Sequence, residues 1–227
     1  MTSAIVVAAG KGKRFAGRLP KIISRLGAKP VIYYSLLTLN RHPGINEIIV
    51  VASRNNIKEI SAIIRRYKIN KVKKVVLGGK ERKDSVFQGL KPLSPDTGYV
   101  LIHDGARPFI SAGMVSSVLG AAKRFGAAIV GAPVKYTVKE VFDNTVVKTL
   151  NRESLWEIQT PQVFKKKLIL EACKKAKRLK VTDDAMLVEK LGGRVKVVFG
   201  SYSNIKITTA EDLILAEAIL KKGLCQE

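Results

Sequence analysis

The chain of 227 residues has little cysteine: Cys173 and Cys225 stand far apart and in no metal-ligand spacing. That excludes a disulfide framework and a zinc ribbon, and it suits a reducing compartment. Aromatic residues make up only 6% of the chain, so stacking platforms for single-stranded nucleic acid are scarce. No apolar run approaches the roughly 18–20 residues of a membrane-spanning helix. No basic segment followed by an apolar one stands at the N-terminus, so no secretory signal is expected and the expected location is cytoplasmic. Acid is the sharpest shortage, with 18 Asp and Glu against 41 Lys and Arg and a net charge of +23. No acidic residue precedes Glu47, while Lys11, Lys13, Arg14, Arg18, Lys21, Arg25 and Lys29 crowd the same stretch.

What is present is globular in balance: 46% hydrophobic and 26% charged residues exclude a disordered chain. The charge excess invites a nucleic-acid reading. No basic recognition helix or finger spacing supports one, so specific nucleic-acid binding is not expected. A second basic cluster, Lys165–Lys167 with Lys174, Lys175, Lys177, Arg178 and Lys180, alternates with Leu168, Ala172, Ala176 and Leu179 at helical spacing. Those lysines read as the solvated face of an amphipathic helix.

The order of elements is mostly alternating. Strands are expected at Ala4–Ala8, Glu47–Ala52, Lys73–Leu77, Tyr99–His103 and Ala127–Ala132. Helices are expected from Pro30, over Asn55–Tyr67, over Asp84–Leu90, and from a Ser111 cap to about Phe125. That order implies an α/β fold: a Rossmann-like, mostly parallel sheet with helices on both faces. It breaks at Val134–Leu150, where β-branched residues flank Asp143-Asn144 and suggest a hairpin. Two helices (about 165–179 and 183–191), a strand at Arg194–Phe199 and a helix opened by a Thr208/Glu211 capping box complete the reading. No linker or repeat is visible. One domain over 1–227, with a β-arm at about 134–152, is expected, the arm being either a lid or a hold on a partner subunit.

Two motifs carry chemistry. Ala8-Ala9-Gly10-Lys11-Gly12-Lys13-Arg14-Phe15 follows the first strand, where open α/β sheets place ligands. Its glycines let backbone approach a phosphate chain. It is neither a Walker loop, lacking Gly-Lys-Ser/Thr, nor GxGxxG, having Phe15 at the third position. A glycine turn with Lys11, Lys13, Arg14 and Lys21 suits a triphosphate; a basic surface loop is the alternative. The second motif is His103-Asp104-Gly105-Ala106-Arg107-Pro108-Phe109. Asp104, ending a strand across from the glycine turn, could hold Mg²⁺ or another hard divalent cation on phosphate oxygens, or it could pair locally with Arg107. His103 reads as structural.

Together with Pro20-Lys21, Gly78-Gly79-x-x-Arg82-x-x-Ser85-Val86, Thr160-Pro161-Gln162, Thr182-Asp183-Asp184 and Asn204-Ile205-Lys206-Ile207-Thr208, these blocks resemble the 2-C-methyl-D-erythritol 4-phosphate cytidylyltransferase family over nearly the whole chain. The resemblance implies Mg²⁺-dependent transfer of CMP from CTP to methylerythritol phosphate, with release of pyrophosphate. It implies that Arg14, Lys21 and Lys206 act at the α-phosphate. It implies that Ala8, Ala9, Gly10, Gly12, Gly79, Ser85 and Asp104 bind the nucleotide, with Asp104 as the metal ligand. Thr137, Arg152, Thr160 and Thr182 would bind the acceptor. Thr137 and Arg152 would serve a neighbouring active site through the arm of a homodimer. The chain departs from the family's usual residues at Ile22, Lys80, Tyr136 and Asn151. The readings set beside this one are a ribitol-5-phosphate cytidylyltransferase, a basic nucleic-acid-binding protein and an inert binding subunit.

Overall fold

The computed structural model describes residues 1–10, 20–175 and 181–223. In chain order the elements are β1 (Thr2–Ala8), a short ribbon of β2 (Arg25–Leu26) and β3 (Lys29–Pro30), α1 (Val31–Arg41), β4 (Glu47–Ala52), α2 (Ile57–Arg66), β5 (Val72–Leu77) and α3 (Arg82–Leu90). There follow β6 (Tyr99–Asp104), α4 (Ala112–Phe125), β7 (Ala127–Pro133), an arm of β8 (Lys139–Phe142) and β9 (Thr145–Thr149), and β10 (Trp156–Lys165). The chain continues with α5 (Lys166–Lys175), α6 (Ala185–Glu189), β11 (Lys196–Phe199) and α7 (Ala210–Lys221).

Seven strands form one sheet in the order β11-β7-β10-β6-β1-β4-β5. All of its pairings are parallel except the two made by β10. Alternation along β1 shows how the layers form. Ala4, Val6 and Ala8 pack toward α1, α2 and α4 with Leu36, Ile60 and Val118, whereas Ile5 packs toward α3, α5 and α6 with Val86, Ile169 and Leu187. Every residue of β4 is buried, as expected for a parallel strand covered on both faces. A third cluster seats α7 on Leu26, Val31 and Phe109.

The local signals explain most boundaries. Ser111 caps α4 by accepting from the Met114 N–H at 3.2 Å, and Gly126 at φ 90° ends it in the left-handed region. Asp143 and Asn144, at φ 46° and 56°, form the two-residue turn of the arm, the geometry of a type I′ hairpin.

Three features differ from the sequence expectation. The capping box of α7 is Thr209/Asp212 instead of Thr208/Glu211. The Asp212 carboxylate reaches the N–H groups of Thr208 (2.7 Å) and Thr209 (2.9 Å) and the Thr208 hydroxyl (2.6 Å). The ribbon β2–β3 has no periodic signature at two residues per strand. The largest difference is β10, ten residues long, lying antiparallel between β6 and β7 where no strand was read. Pro161 within it argues against a central strand, since proline cannot donate to a ladder. The register shift between Ile158 and Gln162 accommodates it.

Candidate active site

Parallel α/β sheets bind ligands at the carboxyl ends of strands where the order reverses. Here that point lies between β1 and β6, because the chain runs outward from β1 through β4 to β5 and returns to β6 on the other side. Val7 pairs with Asp104, so the Ala8–Gly10 backbone and the Asp104 carboxylate arrive side by side. The end of β1 is braced by Asn56, whose side-chain N–H₂ donates to the Ala8 carbonyl at 2.9 Å. A cleft opens there, lined by Ala8, Ala9 and Gly10 from β1, Lys21 and Ile22 from the following turn, Gly79–Arg82 and Ser85 from the β5–α3 loop, Asp104 and Ala106 after β6, and Lys206.

Two glycines make the β5–α3 wall possible. A Cβ on Gly78 would come within 2.4 Å of Ala9 Cβ, and one on Gly79 within 2.3 Å of Asp84 Cβ. At Gly10 a Cβ would meet nothing within 4 Å, so its contribution is open space beside the backbone. Ser85 is buried; its hydroxyl donates to the Glu81 carbonyl (3.1 Å) and accepts from the Gly79 N–H (3.2 Å), which closes the loop on itself. Glu81 and Asp84 form a capping box at the start of α3.

Asp104 organises the charge. Its Oδ1 faces Arg82 Nε at 3.0 Å and its Oδ2 faces Lys206 Nζ at 2.5 Å, with the side chain 9% exposed. Burial alone would raise its pKa; Arg82 and Lys206 overcome that and hold the carboxyl well below the usual range. Arg82 also reaches Asp184 Oδ2 at 2.8 Å. Burial disfavours the guanidinium charge, and the two carboxylates more than compensate, raising its pKa. Beneath the cleft runs an ordered chain of hydrogen bonds. The Asp104 N–H donates to Thr160 Oγ1 (3.0 Å), which lies 3.1 Å from His103 Nδ1, and His103 Nε2 lies 3.0 Å from the Arg107 carbonyl. A carbonyl can only accept, so Nε2 carries the proton and Nδ1 accepts from the threonine hydroxyl. Burial pushes the His103 pKa down to about 4, which keeps the ring neutral. The side chain of buried Asn204 donates to the Thr160 carbonyl and to Gln159 Oε1, both at 3.0 Å, and its main-chain carbonyl accepts from Arg107 at 2.7 Å.

The expected site residues therefore divide. Ala8, Ala9, Gly10, Lys21, Gly79, Ser85, Asp104 and Lys206 line one cleft. Arg14 and Gly12 lie outside the described residues. Thr160 is 4% exposed with its hydroxyl engaged behind Asp104, so it meets the cleft through that residue. Thr182 is exposed on the loop before α6, with its hydroxyl 3.8 Å from Met186 Sδ. Thr137 and Arg152 are exposed at the base of the arm, and neither lines this cleft. Of the departures, Ile22 is buried at 3% exposure and anchors the Lys21 turn, and Asn151 caps a short 3₁₀ turn by accepting from the Glu153 N–H. Sequence reasoning gave no role to Arg82 or Asp184, although both stand inside motifs it singled out.

The fold and the cleft define the class: a Rossmann-like α/β protein with a small-residue floor and converging cations at the switch point of its sheet. The chain belongs to the 2-C-methyl-D-erythritol 4-phosphate cytidylyltransferase family, matching it over residues 2–222. It is 47% identical over 223 residues to the protein of that name from Clostridium botulinum strain Langeland, with 97% of each chain covered. To the Halalkalibacterium halodurans protein of the same name it is 46% identical, with 96% of each covered. The crystal structure of 4-diphosphocytidyl-2C-methyl-D-erythritol synthase from Anaerococcus prevotii superposes with a TM-score of 0.86 at 40% identity, covering 97% of this chain and 96% of that one. The cytidylyltransferase from Thermus thermophilus gives 0.78 at 32% identity, covering 96% and 98%.

Proposed function

We propose that the protein transfers CMP from CTP to 2-C-methyl-D-erythritol 4-phosphate in isoprenoid precursor biosynthesis. The observation that carries the reading is one cleft that brings Lys21 together with Asp104 and its partners Arg82 and Lys206, beside the Ala8–Gly10 backbone, in a chain that matches the family almost end to end. An oxygen of the acceptor phosphate attacks the α-phosphorus of CTP, a new P–O bond forms, the bond to the β-phosphate bridge breaks, and pyrophosphate leaves. A phosphate monoester is already nucleophilic, so the protein supplies position and charge instead of a nucleophile. Lys21, Lys206 and Arg14 act on the oxygens of the α-phosphate, where charge builds in the transition state. Ala8, Ala9, Gly10, Gly12, Gly79 and Ser85 hold the nucleoside end. Thr182, with Thr137 and Arg152, binds the acceptor, and Thr160 contributes from beneath through Asp104.

Among the described residues, no three His, Cys, Asp or Glu side chains converge as a metal site. Magnesium is commonly held by one or two carboxylates together with substrate phosphates. Of the two carboxylates that line the cleft, Glu81 is engaged in the capping box of α3 and by Lys83, so an ion that arrives on the nucleotide would take Asp104 as its protein ligand. Such an ion, when bound, offsets triphosphate charge.

The arm supports a homodimer. Val141, Phe142, Val146 and Val147 are 55–79% exposed on the arm, with no core of their own to enter. A second copy would cover them and carry Thr137 and Arg152 to its neighbour's site. We read 1–227 as one catalytic unit with this arm inserted, working in the cytoplasm; among the described residues no helix is long and apolar enough to cross a membrane.

Pyrophosphate release from CTP and Mg²⁺ tests the reading, with methylerythritol phosphate and ribitol 5-phosphate run in parallel. Release with the first alone is expected. Release with only the second, or with neither, overturns it.

A further inference from the structure

Asp184 is 1% exposed and lies at the N-terminus of α6, two residues after Thr182. A carboxylate there needs a partner, since an unpaired buried charge is costly. Its partner is Arg82, whose terminal nitrogen lies 2.8 Å from Asp184 while its Nε lies 3.0 Å from Asp104. The rigid fork of a guanidinium suits it to join two carboxylates in a fixed relation, which a lysine ammonium does not do. The loop carrying Asp184 is tied independently to β10. Gln162 donates to Asp183 at 2.8 Å and accepts from the Ala185 N–H at 3.1 Å. Asp183 in turn accepts from the Met186 N–H at 3.0 Å. β10 also carries Thr160, which accepts from the Asp104 N–H. Asp104 is therefore held on two sides, through its carboxylate by Arg82 and through its backbone by Thr160. Both supports lead back to the 182–185 loop.

We infer that Asp184 is a positioning residue that acts through Arg82, joining the loop that carries Thr182 to the carboxylate at the nucleotide end of the cleft. Asp184 lines no part of the cleft, whereas Arg82 and Asp104 do. Its removal should be felt by the nucleotide, through Arg82 and Asp104, and by the acceptor, through Thr182. The second half of that statement rests on the functional reading above; the bridge itself does not.

The test uses Asp184→Asn, which keeps shape and removes charge, and Arg82→Lys, which keeps charge and removes the fork. CTP binding is measured by calorimetry at 25 °C without acceptor, on protein whose circular dichroism matches wild type. Each variant is expected to bind CTP about ten-fold more weakly and to raise the acceptor KM several-fold. The double variant should be no worse than the poorer single one, because both cut one connection. A purely structural role would lower the melting temperature and leave CTP affinity at 25 °C unmoved, and that result would overturn the inference. So would additive losses in the double variant. The crystal structure of Asp184→Asn gives a readout that needs no ligand: Arg82 should leave its place beside Asp104 Oδ1, and an unmoved Arg82 refutes the bridge. If wild type binds no CTP, the functional reading falls, while that crystal structure still decides the bridge. If Asp184→Asn does not fold, the Arg82→Lys variant carries the same binding test.

Discussion

Replacing Thr160 by valine keeps the side-chain shape and deletes one hydroxyl. That hydroxyl accepts from the Asp104 N–H at 3.0 Å and donates to His103 Nδ1 at 3.1 Å. All three residues are buried, with His103 fully so. The valine variant leaves a buried backbone N–H and a buried ring nitrogen without these partners. Each orphaned group costs about 1–3 kcal/mol. The added methyl returns up to about 0.8 kcal/mol. The expected loss is about 3 kcal/mol. For a chain of this size, about 2–4 °C of melting temperature accompanies each kcal/mol, so a fall of about 6–12 °C should follow. Thr160→Ser keeps both hydrogen bonds, loses one methyl, and should cost about 1 kcal/mol. Guanidinium chloride unfolding, with the m value checked for constancy, measures both. A valine variant within about 0.5 kcal/mol of wild type would refute the hydrogen-bond chain, as would a serine variant that is equally damaged.

Three further outcomes follow from the geometry. The folded His103 pKa of about 4 lies below the ordinary 6.5, so the unfolded chain binds the extra proton and stability is lost as pH falls from 6.5 toward 4. The difference amounts to roughly 3 kcal/mol. His42, also depressed by burial and then by Lys71, adds in the same direction. His103→Gln should flatten most of that slope in denaturant titrations across this window, and an unchanged slope refutes the assignment. Lys206→Ala removes a cation that pairs with Asp104 and should lower kcat by about 10²-fold in steady-state pyrophosphate release; a change below about three-fold contradicts its placement at the transferring phosphate. Gly78→Ala drives a methyl to 2.4 Å from Ala9 and 2.7 Å from Ser85 Oγ, and should destabilise by about 1–3 kcal/mol in thermal melts. A neutral effect would mean that the β5–α3 loop is free to move away.

The sequence made the parallel part of the fold legible because its signals are local. Short apolar runs gave β1, β4, β6 and β7, periodicity gave α2, and Ser111 marked the start of α4. β10 was hidden because proline and polar residues interrupt it, and its burial comes from two neighbours distant in sequence. The cleft residues were legible as motifs. Their mutual arrangement was not, since Arg82 meets Asp104 and Asp184 across long separations that no spacing rule encodes. Thr160 shows the limit most clearly. The motif singled it out for the acceptor, whereas the three-dimensional contacts place its hydroxyl behind Asp104.

The position of β10 also bears on how the molecule can be assembled. Among the described residues β6 and β7 do not pair with one another; β10 lies between them and joins the two parts of the sheet. A nascent chain ending before residue 156 would hold β1, β4, β5 and β6 as one sheet, with β7 lacking both of its lateral partners, β10 and β11. Lys206, which completes the charge balance of Asp104, is synthesised 102 residues later than its partner. The charge balance at the cleft is thus completed only in the last stage of synthesis. Any fragment short of Lys206 would expose Asp104 with only part of its complement of cations.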